Sequence, residues 1–203
     1  MNVGVPRTVV WHGREVRSAI WKEPAVGPVA IMGVNLVGDD QADRRVHGGV
    51  DKAVYAYGVE DYDWWSATTG SLTPGTFGEN LTTSGVDLTG SHIGDRWVVG
   101  SAVLEVAQPR QPCFKLGIRM GDDHFPGKFE SAGRPGVYLR IITPGTVSPG
   151  DVIDIDPAAQ PAVRIGDLVT GEIDEGVLRR AVDDPRVPGG WRRSAARALA
   201  LST

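Results

Sequence analysis

Glycine and proline punctuate this chain more than any other feature, at 27 and 14 of its 203 residues, about a fifth of the total. Glycine opens backbone angles closed to other residues, and proline fixes one angle and removes a donor, so each tends to end a regular element. Segments this short suit strands joined by tight turns better than long helices. A many-stranded, mostly antiparallel barrel is the fold such spacing predicts.

The apolar pattern places the elements. Residues 8–11 are rich in β-formers, His12-Gly13-Arg14 reads as a turn, and Val16, Ser18 and Ile20 alternate with Arg17, Ala19 and Trp21. A period of two gives that stretch one buried face. Further strands are predicted over 29–34, 53–57, 81–83, 136–143 and 151–155. One long strand is predicted over 96–107, where Val98, Ala102, Leu104 and Val106 share a face. A helix over 59–67 carries Tyr62, Trp64 and Trp65, and residues 35–51 read as a long polar loop. Beyond Pro157 the spacing becomes helical: Ile165, Leu168 and Val169, then Val177, Leu178 and Ala181 behind a cap at Asp174, then Trp191, Ala195, Ala198 and Leu199. The expected organisation is a mostly β barrel domain with a few helices over residues 1–157, and a small three-helix C-terminal extension over 158–203.

Composition removes several classes of function. Twenty-one Lys and Arg against 25 Asp and Glu leave a formal net charge of −4, which argues against a surface built to coat nucleic acid. No apolar run approaches the roughly 20 residues that a membrane span needs. Residues 1–8 show no signal pattern, so no membrane partner and a cytoplasmic location are expected. Cys113 is the only cysteine, which excludes an internal disulfide, a cysteine-ligated iron–sulfur cluster and a zinc finger. No Gly-x-Gly-x-x-Gly follows a strand, so no dinucleotide site is visible. Gly121 to Lys128 is one residue too long for a phosphate loop, and Phe129 stands where its Ser or Thr belongs. His12, His92 and His124 lie apart in polar contexts and read as surface residues.

Three segments carry chemistry. The first is Asp43-Arg44-Arg45-Val46-His47-Gly48-Gly49-Val50-Asp51-Lys52-Ala53, in which paired glycines let amides approach a ligand while His47 and Lys52 offer polar or cationic heads. A plain glycine turn with solvated charges is the competing reading. The second, Phe77-Gly78-Glu79-Asn80-Leu81, puts a carboxylate and an amide before a strand, and on its own it is an ordinary turn. The third, Gln108-Pro109-Arg110-Gln111-Pro112-Cys113-Phe114-Lys115-Leu116, ends the longest strand. Pro112 fits the first position of a helix, which would set Cys113 near the positive end of the helix dipole. With Arg110 and Lys115 beside it, that setting favours thiolate over thiol and makes the sulfur a nucleophile or a soft metal ligand. A small buried cysteine remains the alternative.

Taken together these segments resemble the MOSC family, domains related to the C-terminal part of molybdenum cofactor sulfurase, and most of all its short bacterial YiiM-type members. The matching stretches include Gly38-Asp39-Asp40-Gln41-Ala42-Asp43, His47-Gly48-Gly49, Asp51 to Tyr57, Trp64-Trp65, Pro74-Gly75, Phe77 to Leu81, Ile93-Gly94-Asp95 and Gln108 to Leu116. Their order and spacing fit across roughly residues 30–157, and the tail resembles the three-helix extension of the same group around Trp191-Arg192. Val50 replaces a usual proline and Phe114 a frequent tryptophan; neither change removes a polar group.

The resemblance implies a MOSC-type β-barrel and a pyranopterin molybdenum cofactor with Cys113 as the protein ligand to molybdenum. It implies an oxidoreductase that reduces N-hydroxylated compounds, such as hydroxylaminopurine-type bases, to amines, a detoxifying reaction. In that scheme Lys52, Arg110 and His47, with Gly48, Gly49 and Gln111, hold the cofactor, while Glu79 and Asn80 position the substrate or the groups around the metal. Pyridoxal phosphate has no place in it. The expected partners are a small-molecule N-hydroxylated substrate and a separate electron-donor protein, and a homodimer is compatible with it. Two rivals stay open at this point: a non-enzymatic carrier of the cofactor, or of sulfur on Cys113, and an enzyme using Cys113 as nucleophile with His47 as base.

Overall fold

In the computed structural model, residues 1–40, 48–159, 163–169 and 171–201 are described. The chain opens with β1 (Asn2–Val3), the hairpin strands β2 (Arg7–Trp11) and β3 (Arg14–Ser18), then β4 (Glu23–Pro24), β5 (Val29–Met32) and β6 (Asn35–Leu36). Strand β7 (Val54–Gly58) runs straight into helix α1 (Val59–Thr69), which returns the chain to β8 (Leu81–Thr83). The hairpin β9 (Arg96–Val99) and β10 (Ala102–Pro109) is followed by the short helices α2 (Phe114–Met120) and α3 (Phe125–Ser131). Strands β11 (Val137–Thr143), β12 (Gly145–Val147) and β13 (Ile153–Asp156) come next, and helices α4 (Glu175–Asp183) and α5 (Gly189–Leu201) lie in the C-terminal segment. No described helix is long and apolar enough to cross a membrane.

Six strands, in the order β13-β9-β10-β11-β7-β8, form a sheet curled into a half-barrel. Neighbours are antiparallel except β7 and β8, which pair in parallel from Ala56↔Leu81 to Gly58↔Thr83. A parallel pair needs a crossover, and α1 supplies it. Every residue of β7 is buried, as expected of a strand covered on both faces. A three-stranded sheet, β12-β5-β6, joins the first at the β9–β10 turn, where Ser101 N donates to Thr146 O at 3.1 Å and Thr146 N to Ser101 Oγ at 2.8 Å.

The mostly β fold stands as the sequence implies, with three local differences. The single strand over 96–107 is a hairpin, because Gly100 takes φ +56 and turns the chain with Ser101 alone between Val99 and Ala102. Two-residue hairpin turns need such positive φ values, and glycine enters them without strain. The loop over 35–51 begins with β6, which pairs Ile31↔Leu36 with β5. The first of the three C-terminal helices is a single 3-10 turn over Gly166–Leu168.

Two apolar clusters hold the molecule together. The larger contains Ile31, Trp97, Leu104 and Leu139 from the sheets, and equally Val163, Ile165, Leu168, Val177, Leu178 and Ala181 from the C-terminal segment. The helices after residue 157 therefore share one core with the strands. The smaller is aromatic: Tyr55, Tyr57, Tyr62, Trp65, Phe77, Phe125 and Phe129, with Ile20 and Leu116. Its ring pairs, such as Tyr57–Phe77 at 4.5 Å, are each worth about 0.5–1.5 kcal/mol beyond area burial, enough to set a rigid floor beside β7 and β10.

Candidate functional site

A cleft partly open to solvent lies over that aromatic floor. Its walls come from distant parts of the chain: Ser18 to Ile20 and Lys22 after β3, Asp39 and Asp40, Lys52, Tyr55, Gly78, Asn80, Arg110, Cys113, Lys115 and Tyr138. The turn that β10 makes on leaving the sheet brings Arg110, Cys113 and Lys115 to it together. Helix α2 begins at Phe114, two residues later than Pro112 suggests. Cys113 is its N-cap residue, with φ −135 and ψ 168, and is half-buried.

Arg110 is buried, at 7% exposure. Its Nη1 donates to the Phe77 carbonyl, and its guanidinium lies 4.9 Å from the Tyr55 ring centre and 5.5 Å from that of Phe129. No carboxylate among the described residues pairs with it, so its charge is steadied by rings and a carbonyl and stays available to an anion. Tyr55 is fixed in turn: its N–H donates to Asn80 Oδ1 at 3.1 Å and its hydroxyl to the Pro135 carbonyl at 2.8 Å. Burial pushes the Tyr55 hydroxyl far above its ordinary ionisation range and raises that of Tyr138, so both stay neutral donors.

Lys52 rides on a 3-10 turn, Val50–Lys52, that is pinned by two contacts to Asp51. Arg140 Nε donates to Asp51 Oδ1 at 2.6 Å, and Gln108 Nε2 donates to the Asp51 carbonyl at 2.9 Å. Burial lowers the Lys52 pKa, opposed by the charges of Asp51 and Cys113.

Opposite stand two residues that the sequence reading did not place in the site. Lys22 and Asp39 form a close ion pair, their side chains 7% and 1% exposed. Asp39 Oδ1 also accepts from Gly4 N at 2.7 Å, and its Oδ2 accepts from Asn80 Nδ2 at 3.0 Å.

The other expected site residues are distributed differently. Asn80 lines the cleft, but its amide is committed to Tyr55, Asn2 and Asp39, which makes it a brace of the wall. Glu79 is fully buried and does not line the cleft. Its Oε1 accepts from Tyr62 Oη at 2.7 Å, Thr82 Oγ1 at 2.9 Å and Gly75 N, while Oε2 has no partner among the described residues, and burial raises its pKa. Gly48, Gly49 and Gln111 line an adjoining groove with Lys52, Gln108, Trp191, Arg193 and Arg197; Lys52 belongs to both spaces. His47 lies outside the described residues.

The donor set decides what this cleft can hold. Four basic side chains, one thiol and two carboxylates line it, and Asp39 is paired with Lys22. Among the described residues no group of three or more His, Cys, Asp or Glu could hold a metal ion alone. A metal here would take one protein sulfur and bring its remaining ligands with it on an anionic organic group. That description fits a pterin-borne molybdenum, to which Cys113 would be the soft ligand and Lys52, Arg110 and Lys115 would offer the cations.

A family model described as the MOSC domain matches residues 43–154. YflK of Bacillus subtilis, an uncharacterized protein, is 38% identical over 156 residues, 76% of this chain and 71% of that one. YiiM of Escherichia coli is 34% identical over 135 residues, 64% of this chain and 60% of that protein. A protein named Reductase from Gibberella moniliformis is 34% identical over 148 residues, 70% of this chain, which is only 26% of that protein's length. The crystal structure of YiiM from Geobacillus stearothermophilus superposes with TM-score 0.78 at 28% identity, covering 98% of this chain and 96% of that one. On this family match and these relatives, the chain is a member of the MOSC domain family.

Proposed function

We propose that the protein binds a molybdenum cofactor in the cleft and reduces N-hydroxylated compounds to amines. The observation that carries this is the meeting of the one thiol, Cys113, with Lys22, Lys52, Arg110 and Lys115 in one cleft. When bound, the cofactor supplies a two-electron redox centre. The protein's part is to hold it: the Cys113 sulfur ligates the metal, and Arg110, steadied by Tyr55 and Phe129, receives anionic oxygen. Lys52 and Lys115 add charge at the rim. The overall reaction is R–NHOH + 2 e⁻ + 2 H⁺ → R–NH2 + H2O, in which the N–O bond breaks and nitrogen keeps the electron pair.

One cysteine and no dinucleotide motif leave the chain no electron store of its own, so a separate electron-donor protein belongs to the proposal. The fungal relative named Reductase is consistent with this, since the matched part is about a quarter of its length. The cytoplasmic location and the division of the chain at residue 157 belong to the same reading.

The test is molybdenum content and turnover of protein purified from a cofactor-sufficient host, with reduced viologen as donor and a hydroxylaminopurine as substrate. Protein from a host unable to make the pterin is the control. Bound molybdenum with amine formation supports the reading. Bound molybdenum without turnover favours the carrier, and no molybdenum contradicts both.

A further inference from the structure

We propose that the groove beside the cleft receives a phosphate, and that the substrate is the 5′-monophosphate of an N-hydroxylated nucleoside rather than the free base. This rests on the reductase reading and names the form of substrate it takes. The phosphate serves as a handle: it takes no part in breaking the N–O bond and leaves unchanged.

The groove runs between the Val50–Lys52 turn and the start of α5, and it shares Lys52 with the cleft. Its lining carries Lys52, Arg193 and Arg197 against a single carboxylate, Asp51, which accepts from Arg140 Nε at 2.6 Å. A chain of net charge −4 thus gathers three cations in one groove. One sign of charge concentrated on a concave surface draws the opposite sign to it.

Helix formation does not account for the two arginines. Arg193 and Arg197 are exposed and stand one turn apart on one face of α5, a helix without an acidic residue. Like charges at that spacing weaken a helix. Neither guanidinium has an ion pair or a hydrogen bond among the described residues. By contrast, Arg179 on α4 pairs with Glu175 one turn away, and Arg186 pairs with Asp184. Two neighbouring forked donors lining a groove match the oxygens of a phosphate.

The wall behind them is fixed. Trp191 Nε1 donates to Gln108 Oε1 at 3.0 Å, Gln108 Nε2 donates to the Asp51 carbonyl at 2.9 Å, and all three residues line the groove. That chain ties the α5 side to the Lys52 side, so the groove is formed before a ligand arrives. A Cβ at Gly49 or Gly190 would meet no atom within 4 Å, which leaves open backbone at both places. A nucleotide carries its base and its phosphate at two ends of a ribose. Two spaces that meet at Lys52 suit those ends, with the base in the cleft near Cys113 and the phosphate in the groove.

The test offers hydroxylaminopurine to the loaded protein as its riboside and as the riboside 5′-monophosphate, with reduced viologen as donor. The expected kcat/KM for the monophosphate is above that for the riboside by about tenfold or more. In an Arg193→Ala, Arg197→Ala double variant that advantage should vanish, with molybdenum content and riboside turnover as in wild type. Equal kcat/KM for the two substrates in wild type overturns the assignment, as does a variant slowed on both alike. A variant that loses its molybdenum puts the cofactor's own phosphate in the groove and also overturns it. A loaded wild type that turns over neither substrate overturns the reductase reading, and binding then decides the groove by itself. Calorimetric titration of cofactor-free wild type should show AMP binding tighter than adenosine by about tenfold or more. That difference should shrink as NaCl rises from about 0.05 to about 0.5 M. Equal affinity, or no binding of AMP, overturns the phosphate site.

Discussion

Trp191 Nε1 donates to Gln108 Oε1 at 3.0 Å, tying the first turn of α5 to the end of β10, two residues before Arg110. The same Gln108 amide donates to the Asp51 carbonyl beside Lys52, so one side chain couples the C-terminal helices to both cationic edges of the cleft. Replacing Trp191 by Phe should cost about 0.5–1.5 kcal/mol, the usual net worth of one hydrogen bond. That lowers Tm by roughly 1–6 °C in a chain of this size. Removing residues 158–203 is far more damaging, because Val163, Ile165 and Leu178 leave the cluster that also contains Trp97 and Leu104. Chemical denaturation checks the first prediction, and solubility of the truncated chain the second. A truncated chain that stays monomeric and unfolds cooperatively would show that the strands close their core without it.

Glu79 gives a pH dependence whose sign follows from burial. Its folded pKa lies above the ordinary value of 4.5, so the folded state holds the proton more tightly than the unfolded chain does. The stability it contributes is fully present below 4.5 and is lost as pH rises through the folded value. Glu79→Gln keeps a neutral side chain at every pH. Its stability relative to wild type should therefore climb from pH 4.5 upward, by at most about 1.4 kcal/mol per pH unit. Urea titrations of both proteins between pH 4.5 and 8 measure it, and parallel curves would contradict the burial argument.

Gly136 holds the approach of β11 to β7. It takes φ +63, and a Cβ there would stand 2.4 Å from the Ala56 carbonyl oxygen and 2.8 Å from the Tyr57 ring. The obstruction is backbone on one side and packed aromatic on the other, so neither can yield cheaply. Gly136→Ala should destabilise the fold by more than about 2 kcal/mol, strain and clash together. Unchanged Tm in that variant would mean the strands separate without cost.

How far the sequence foretells the site depends on how the contacts are strung along the chain. Arg110, Cys113 and Lys115 lie within one proline-bounded turn, so local spacing brings them together without knowledge of the fold. Lys22 and Asp39 are 17 residues apart, and Asp39 meets Asn80 across 41, pairings that only the closed sheets define. Glu79 reads as a catalytic carboxylate because motif position carries no burial; the aromatic cluster beside it turns it inward. Gly100 hides a hairpin for a related reason, since β-formers on both sides sustain the period of two across the turn. Gly48, Gly49 and Gln111 sit next to the cleft in sequence logic and in an adjoining groove in space.

The central claim is that Cys113 serves a bound metal rather than the core. Cys113→Ser changes little volume at a half-buried position, so folding should be spared. A serine hydroxyl is a hard ligand and does not replace a thiolate on molybdenum. The decisive measurement is the molybdenum-to-protein ratio of the Cys113→Ser variant beside wild type, with Tm taken on the same preparations. The account predicts a metal-bearing wild type, and a variant that has lost most of its molybdenum while melting within about 2 °C of it. A variant that keeps wild-type molybdenum and turnover, or that loses stability instead of metal, would contradict it.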